Sequence, residues 1–375
     1  MSGIYIHIPF CKQACHYCDF HFSTSKVLIE EMVDSICTEL ELRKDFLPKK
    51  TPVRTVYFGG GTPSLLSKSH LEKILETITK WYSLDLEEVT LEANPDDLSI
   101  SNLQNWKALG IDRLSIGIQT FDPEILKFYN RAHNAEESLK AIESAKSTGF
   151  EKLSVDLIYG FPSSNHDVWK KDLEIALSQN PGHISSYCLT VEPKTALGNW
   201  HKKGKYQAAS EDFAAEQFEI LMQSMEDSGY IQYEISNFGK LGQFALHNTN
   251  YWLGVPYLGV GPSAHSFDGK SRGSNIAHNA QYINKLKTRE SIYAKEILSD
   301  EDAANDYILT SLRTIWGTDI NYLKNSSGYD LAFLKLDTIK MLMQEKLILE
   351  ETNKIILTKK GRLLADSIAE SLFLP

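Results

Sequence analysis

The chain, 375 residues long, has no apolar run approaching the roughly 20 residues a helix needs to cross a bilayer. It also lacks a positive excess: 39 Lys and Arg stand against 49 Asp and Glu, a net charge of −10. Phosphate binding needs concentrated Lys and Arg, so nucleic acid is not expected as the main partner. The basic run RKDFLPKK (Arg43 to Lys50) reads as a solvated helix end and loop. The start, MSGIYIHIPF, has neither the basic region nor the long apolar stretch of a signal peptide. The chain is therefore expected in the cytoplasm, where thiols stay reduced and a cysteine cluster holds metal rather than a cross-link. No internal repeat or low-complexity segment is present.

What is present suits an ordinary soluble protein with one large domain and a smaller one: 42% hydrophobic and 23% charged residues. Short β-rich runs alternate with helical patterns. GIYIHI (Gly3 to Ile8), RTVYFGGG (Arg54 to Gly61), EVTLEANP, DRLSIGIQ, KLSVDLIYG and HISSYCLT are six strand candidates before Thr190. Helical stretches between them, such as LEKILETITKWY, complete the rhythm of a parallel sheet. Polar residues close several of these strands: Gly59 to Thr62, Glu92, Gln119 and Asp156. In a (β/α) barrel that is the end where sites form.

After Thr190 the rhythm breaks. A helix around Ala208 to Asp227 leads to GYIQYEIS, then to HNTNYWLGVPYLGVGPSAHSFDG, too glycine-rich for a helix and too apolar for an exposed linker. From about Ser299 the order is helix, helix, short strand pair, helix, which suggests a winged-helix-like unit. The expected domains are thus a barrel over 1–235, a Gly/aromatic-rich connecting segment over 236–298, and a winged-helix-like α+β domain over 299–375.

The five cysteines are unevenly spread: Cys11, Cys15 and Cys18 lie within eight residues. Thiolates favour zinc or iron–sulfur clusters. A closed zinc site would need a fourth ligand, for which His7, His16 and His21 are at hand. A cubane cluster on three thiolates leaves one iron open to a substrate. Cys37, in an amphipathic helix, and Cys188, in an apolar strand, read as small core residues.

The spacing C-x3-C-x2-C, with Tyr17 directly before the third cysteine, resembles the signature of radical S-adenosyl-L-methionine (SAM) proteins. With GGGTPS, EANPD, LSIGIQTF and DLIYGFP in order at successive strand ends, the whole chain resembles the oxygen-independent coproporphyrinogen III oxidase family. The resemblance implies a partial (β/α)6 TIM-like barrel. Cys11, Cys15 and Cys18 would hold a 4Fe–4S cluster, and SAM would chelate its open iron and be cleaved reductively to a deoxyadenosyl radical. Gly60, Gly61 and Thr62 would meet SAM's amino group, where glycine allows close approach. Glu92 and Gln119 suit its ribose hydroxyls or amino group. Arg131 suits a carboxylate, and Tyr5, Tyr17, Asp156 and Thr190 complete the implied contacts.

Within that family, the residues point to its haem-chaperone branch. The oxidases carry a further cysteine two places after the third, where this chain has Phe20, and an extension before the first strand. HNTNYW (His247 to Trp252) resembles the H-N-x-x-Y-W motif of the chaperones. His247 is then the expected axial haem ligand, with Tyr251 and Trp252 as flat walls and His265 and His278 as substitutes. The implied partners are haem and client haemoproteins, such as respiratory enzymes at the membrane surface. A homodimer is left open. The other reading is a true oxidase decarboxylating coproporphyrinogen III.

Overall fold

A computed structural model describes residues 1–48 and 51–374, so Lys49 and Lys50 of the basic run lie outside the described residues. Six parallel strands, β1 (Ser2–Ile8), β2 (Val53–Gly60), β3 (Leu84–Ala93), β4 (Arg113–Gln119), β5 (Lys152–Tyr159) and β6 (Gly182–Cys188), pair in chain order. Helices such as Ile29–Leu42, Lys68–Trp81 and Ala135–Ser147 cross between them, as parallel pairing requires. Capping boxes at Ser67/His70 and Asn134/Glu137 start two of these helices.

The strands do not bury both faces in the same way. Ile4, Ile6 and Ile8, with Val56, Phe58, Leu91, Leu114, Ile116, Val155 and Ile184, point at the helices and form one apolar core. Alternate residues face the bore and are polar or small: Tyr5 and His7, Thr55 and Tyr57, Glu88 and Glu92, Arg113 and Ser115, Ser154 and Asp156.

The stretch read as a connecting segment instead extends this sheet. β7 (Ile231–Glu234) and β8 (Asn237–Gly239) add to β6, and β9 (Tyr257–Val260) lies parallel to β1. β10 (His265–Phe267), β11 (Ser271–Asn275) and β12 (Tyr293–Ile297) continue outward. The order β12-β11-β10-β9-β1-β2-β3-β4-β5-β6-β8-β7 does not close on itself, so the barrel stays open. HNTNYW was expected outside a helix, yet Leu246–Trp252 is one. Its own residues contain no glycine; the first glycine after it, Gly254 at φ +65°, marks where the helix has ended.

The floor of the barrel is a buried ion pair. Arg113 Nε donates to Glu88 Oε2 at 2.7 Å, with the side chains 2% and 1% exposed. The amides of Leu246 and His247 donate to the same carboxylate at 3.1 and 2.9 Å, and Arg113 Nη2 donates to the carbonyls of Gln243 and Phe244. One pair therefore joins two strands to the segment that plugs the bore.

Beyond Ser299 a second apolar cluster, from Ala304 to Leu374, forms under a separate sheet of β13 (Thr318–Asp319), β14 (Ile348–Glu351) and β15 (Lys354–Leu357). Its hairpin turns on Thr352 and Asn353, both at positive φ as a two-residue turn requires. Ile315 N donates to Tyr233 O, and Arg313 lies over the Trp252 ring, so the unit packs on the barrel. Among the described residues no helix is long and apolar enough to cross a membrane.

Removing one member of a buried pair leaves the other charged and unpaired. Arg113→Met is expected to destabilise the protein by about 3–5 kcal/mol in urea denaturation. A loss below about 1 kcal/mol would show that the two backbone amides alone satisfy Glu88.

Candidate cluster and cofactor site

The cysteine loop leaves the end of β1 and is closed at its base by Cys11 N to Ser23 O (3.0 Å) and Ser23 N to Pro9 O (2.9 Å). Further along it is pinned to other elements. Lys12 pairs with Asp96 and Asp97, just beyond β3. His16 N donates to Tyr129 O, His16 Nδ1 meets Phe128 O at 2.7 Å, and Leu197 N donates to His16 O at 2.8 Å. Asn130 Nδ2 donates to Ala14 O, and His21 Nε2 meets Asn279 Oδ1 at 2.7 Å. Loops held at so many points cost little to order when a ligand arrives.

The three thiols share this loop. Burial pushes the Cys18 thiol up to about 12 and raises Cys11, where a hydrogen bond from Thr62 works in the other direction. A positive group stands beside the loop: Arg131 Nη1 lies 3.4 Å from Cys15 Sγ and 3.4 Å from Tyr17 Oη. Its Nη2 donates to Asn94 Oδ1 (2.8 Å) and Gly117 O (2.7 Å). Arg131 was expected to grip a carboxylate; here its partners are a thiol, a phenol, an amide oxygen and a carbonyl. Among the described residues no three Cys, His, Asp or Glu side chains converge in ligand geometry. A metal group would draw the sulphurs together.

Of the three histidines weighed as a fourth zinc ligand, His7 has no ring nitrogen to spare. His7 has both ring nitrogens engaged, with Tyr5 Oη (3.1 Å) and His21 O (2.9 Å), and burial lowers its pKa to about 4. His16 and His21 each commit one nitrogen elsewhere. Cys37 is half-buried on its helix, as expected, whereas Cys188 is exposed rather than core, being the last residue of β6. The last strand residues emerge above the layer of helices.

Glycines at the mouth of the barrel are required by what a side chain would strike. At Gly60, φ is +105° and a Cβ would lie 2.6 Å from the His7 ring; at Gly61 it would lie 2.7 Å from Phe10 O. At Gly117 it would lie 2.9 Å from Gln119 Nε2 and 3.2 Å from Arg131 Nη2. Thr62 is buried beside Cys11. Glu92 accepts from Tyr57 Oη (2.7 Å) and from Gly60 N (3.1 Å), and burial raises its pKa to about 7. Asp156 lies mid-strand, one layer below the mouth, and accepts from Ser115 at 3.1 Å; burial raises its pKa to about 6. Gln119 ends β4 at φ +70°. Tyr5, which alone reads as core, faces the bore and stacks on Tyr57. Tyr17 packs edge-on against Tyr129. Thr190 is exposed two residues beyond β6.

Tyr57, Asn94 and Lys12 are among the residues not picked out from the sequence. Tyr57 and Asn94 sit inside quoted motifs, and strand parity with Gly59 would have found Tyr57. Lys12 carries no local signal, because its partners lie 84 and 85 positions away.

His247 departs most from expectation. It is 1% exposed, on a helix, with Nδ1 2.8 Å from Thr55 Oγ1 and Nε2 2.8 Å from Tyr251 Oη. Its ring stacks on Tyr57 at 5.0 Å, and burial lowers its pKa to about 3. Neither nitrogen is free for haem iron in this conformation, since the helix turns the imidazole into the bore beneath Tyr57. Of the substitutes, His278 caps the helix Asn279–Lys287 by accepting from Gln281 N. His265 is exposed at the start of β10.

The family model of the radical SAM superfamily matches residues 5–176, covering β1 to β5 and the cysteine loop. The chain is 35% identical to the Heme chaperone HemW of Bacillus subtilis, over 98% of each protein. It is 33% identical to that of Lactococcus lactis, over 100% of this chain and 97% of that one. Among solved structures, the coproporphyrinogen III oxidase HemN of Escherichia coli, described as a radical SAM enzyme, superposes with a TM-score of 0.85. That match covers 99% of this chain and 90% of that one at 21% identity, a likeness of fold.

Cys15→Ala is expected to abolish the broad visible absorption and bound iron of anaerobically reconstituted protein, while Cys188→Ser keeps both. The reverse pattern would place Cys188 among the ligands in place of Cys15.

Proposed function

Since the chain belongs to the HemW family of the radical SAM superfamily, we propose that it binds haem and delivers it to client haemoproteins, respiratory enzymes among them. The observation that carries this reading is the near-full-length similarity to heme chaperones, joined to a loop with three thiols and no fourth. Phe20 supports it: the position that distinguishes the oxidases holds a phenyl ring, 68% exposed.

Cys11, Cys15 and Cys18 would hold the 4Fe–4S cluster, which supplies SAM with a coordination site and an electron. The chain's own part is to bind and orient. Arg131 sets a positive charge beside the Cys15 sulphur. Gly60 and Gly61 let the backbone approach the methionyl amino group. Glu92 accepts hydrogen bonds from the ribose hydroxyls when ionised, with Gln119, Asp156, Tyr5, Tyr17, Thr62 and Thr190 around it.

For haem iron, His265 is the imidazole supported by exposure; His247 would first have to give up Thr55 and Tyr251. Haem titrations of His265→Ala and His247→Ala test this. Weakened binding in the first and parental binding in the second is expected, and the opposite result returns the ligand to His247.

Turnover separates the chaperone from the oxidase. Reconstituted protein given SAM, reductant and coproporphyrinogen III is expected to form no protoporphyrinogen while still binding SAM. More than one equivalent of product would make it an oxidase. Burial raises the pKa of the Glu92 carboxyl to about 7, and its ionised form is the stronger acceptor of hydrogen bonds. SAM should therefore bind more weakly as pH falls through 7, and Glu92→Gln should reduce that dependence to the part left by Asp156, raised to about 6. A parental affinity that is flat from pH 8 to 6 would take Glu92 off the ribose.

A further inference from the structure

We propose that His247 is a positioning residue for the SAM end of the barrel, acting through the Tyr57 ring on the carboxylate of Glu92. The inference rests on the reading of Glu92 and Gly60 as part of a SAM site.

The bore is layered, because Thr55, Tyr57 and Gly59 alternate onto one face of β2, some 6–7 Å apart from one to the next. His247 occupies the lowest layer. Its helix cannot slide, since the amides of Leu246 and His247 are held by Glu88, itself locked to Arg113. Its ring cannot turn, since Thr55 and Tyr251 hold the two nitrogens, and their hydroxyls can each donate or accept to suit a neutral imidazole. Gly3 leaves the room: a Cβ there would lie 2.8 Å from Thr55 Oγ1 and 3.2 Å from His247 Cε1.

The next layer rests on this one. Tyr57 stacks with two rings, His247 at 5.0 Å and 27° and Tyr5 at 6.0 Å and 26°. Those contacts set the direction of its hydroxyl, which donates to Glu92 Oε1 at 2.7 Å. The other oxygen, Oε2, accepts from Gly60 N at 3.1 Å. The carboxylate and the glycine turn are thereby fixed together. Gly59 keeps the layer tight, as a Cβ there would lie 2.8 to 3.0 Å from Tyr57, Tyr5 and Glu92. Supporting residues of this kind hold a site to a fraction of an ångström, and their loss shows as weaker ligand binding.

The test uses the full chain, reconstituted anaerobically, with SAM and haem dissociation constants measured by calorimetry and iron content checked in each sample. His247→Leu keeps bulk but loses the stack and both hydrogen bonds. Tyr57→Phe removes one oxygen. Each is expected to raise the SAM dissociation constant about five- to tenfold, the loss of one hydrogen bond to a charged group, with iron content and haem affinity unchanged. Residues acting in series do not add, so the double variant should bind SAM as the weaker single variant does. Tyr251→Phe leaves both rings in place and frees only the imidazole Nε2. It should weaken SAM about threefold, and it serves if His247→Leu fails to fold. SAM affinity within twofold of the parent in His247→Leu, or in Tyr251→Phe if that is the variant available, overturns the relay. So do additive losses, or haem binding that falls while SAM binding stays. A parent protein that binds no SAM overturns the underlying reading and the relay with it.

Discussion

Glu88 and Arg113 pair between adjacent strands at the lower end of the bore, and the upper layers depend on that contact. A carboxylate and a guanidinium so far from water persist only when their other donors and acceptors find partners. Here Ser154, two carbonyls and two amides supply them. Because those carbonyls and amides belong to residues 243–247, satisfying the pair brings the HNTNYW helix into the barrel. A polar bore would otherwise be a liability in a parallel sheet, whose faces are normally both apolar. Plugged from below and open above, it becomes a funnel with one functional end.

The upper end is organised around a different problem, that of keeping thiols ready while they are partly buried. Burial alone makes thiolates costly, as the upward displacement at Cys11 and Cys18 records. Arg131, between the helices Pro123–Phe128 and Ala135–Ser147, offsets part of this at Cys11 and lies beside Cys15, braced on Asn94 and Gly117. The cysteine loop is meanwhile tied through Lys12, Ala14, His16 and His21 to residues 96–97, 128–130, 197 and 279. Chain segments from four regions thus converge on one short loop.

The unit beyond Ser299 has its own core but meets the barrel at Tyr233, Thr314 and Trp252. Trp252 closes the same helix that carries His247. The contact therefore lies against the plug rather than over the cysteine mouth.

Much of this was legible along the chain. Six alternating strands with polar ends specify a (β/α) barrel, and three cysteines in eight residues single out one loop, because periodicity and spacing are local properties. Glu92, Asp156 and the glycines could be named for the same reason: each is an exception inside its own strand. The rest depends on partners far apart in sequence. Whether HNTNYW lies outside a helix or within one, inside the bore or on the surface, is decided by Glu88, some 160 residues earlier. Which protein groups surround Arg131 is decided by where the loop of Cys15 folds back. The sequence by itself determined which residues carry chemistry. Only the tertiary structure decided which of them stay available for it, since a buried imidazole with both nitrogens bonded is identical, in sequence, to a free one.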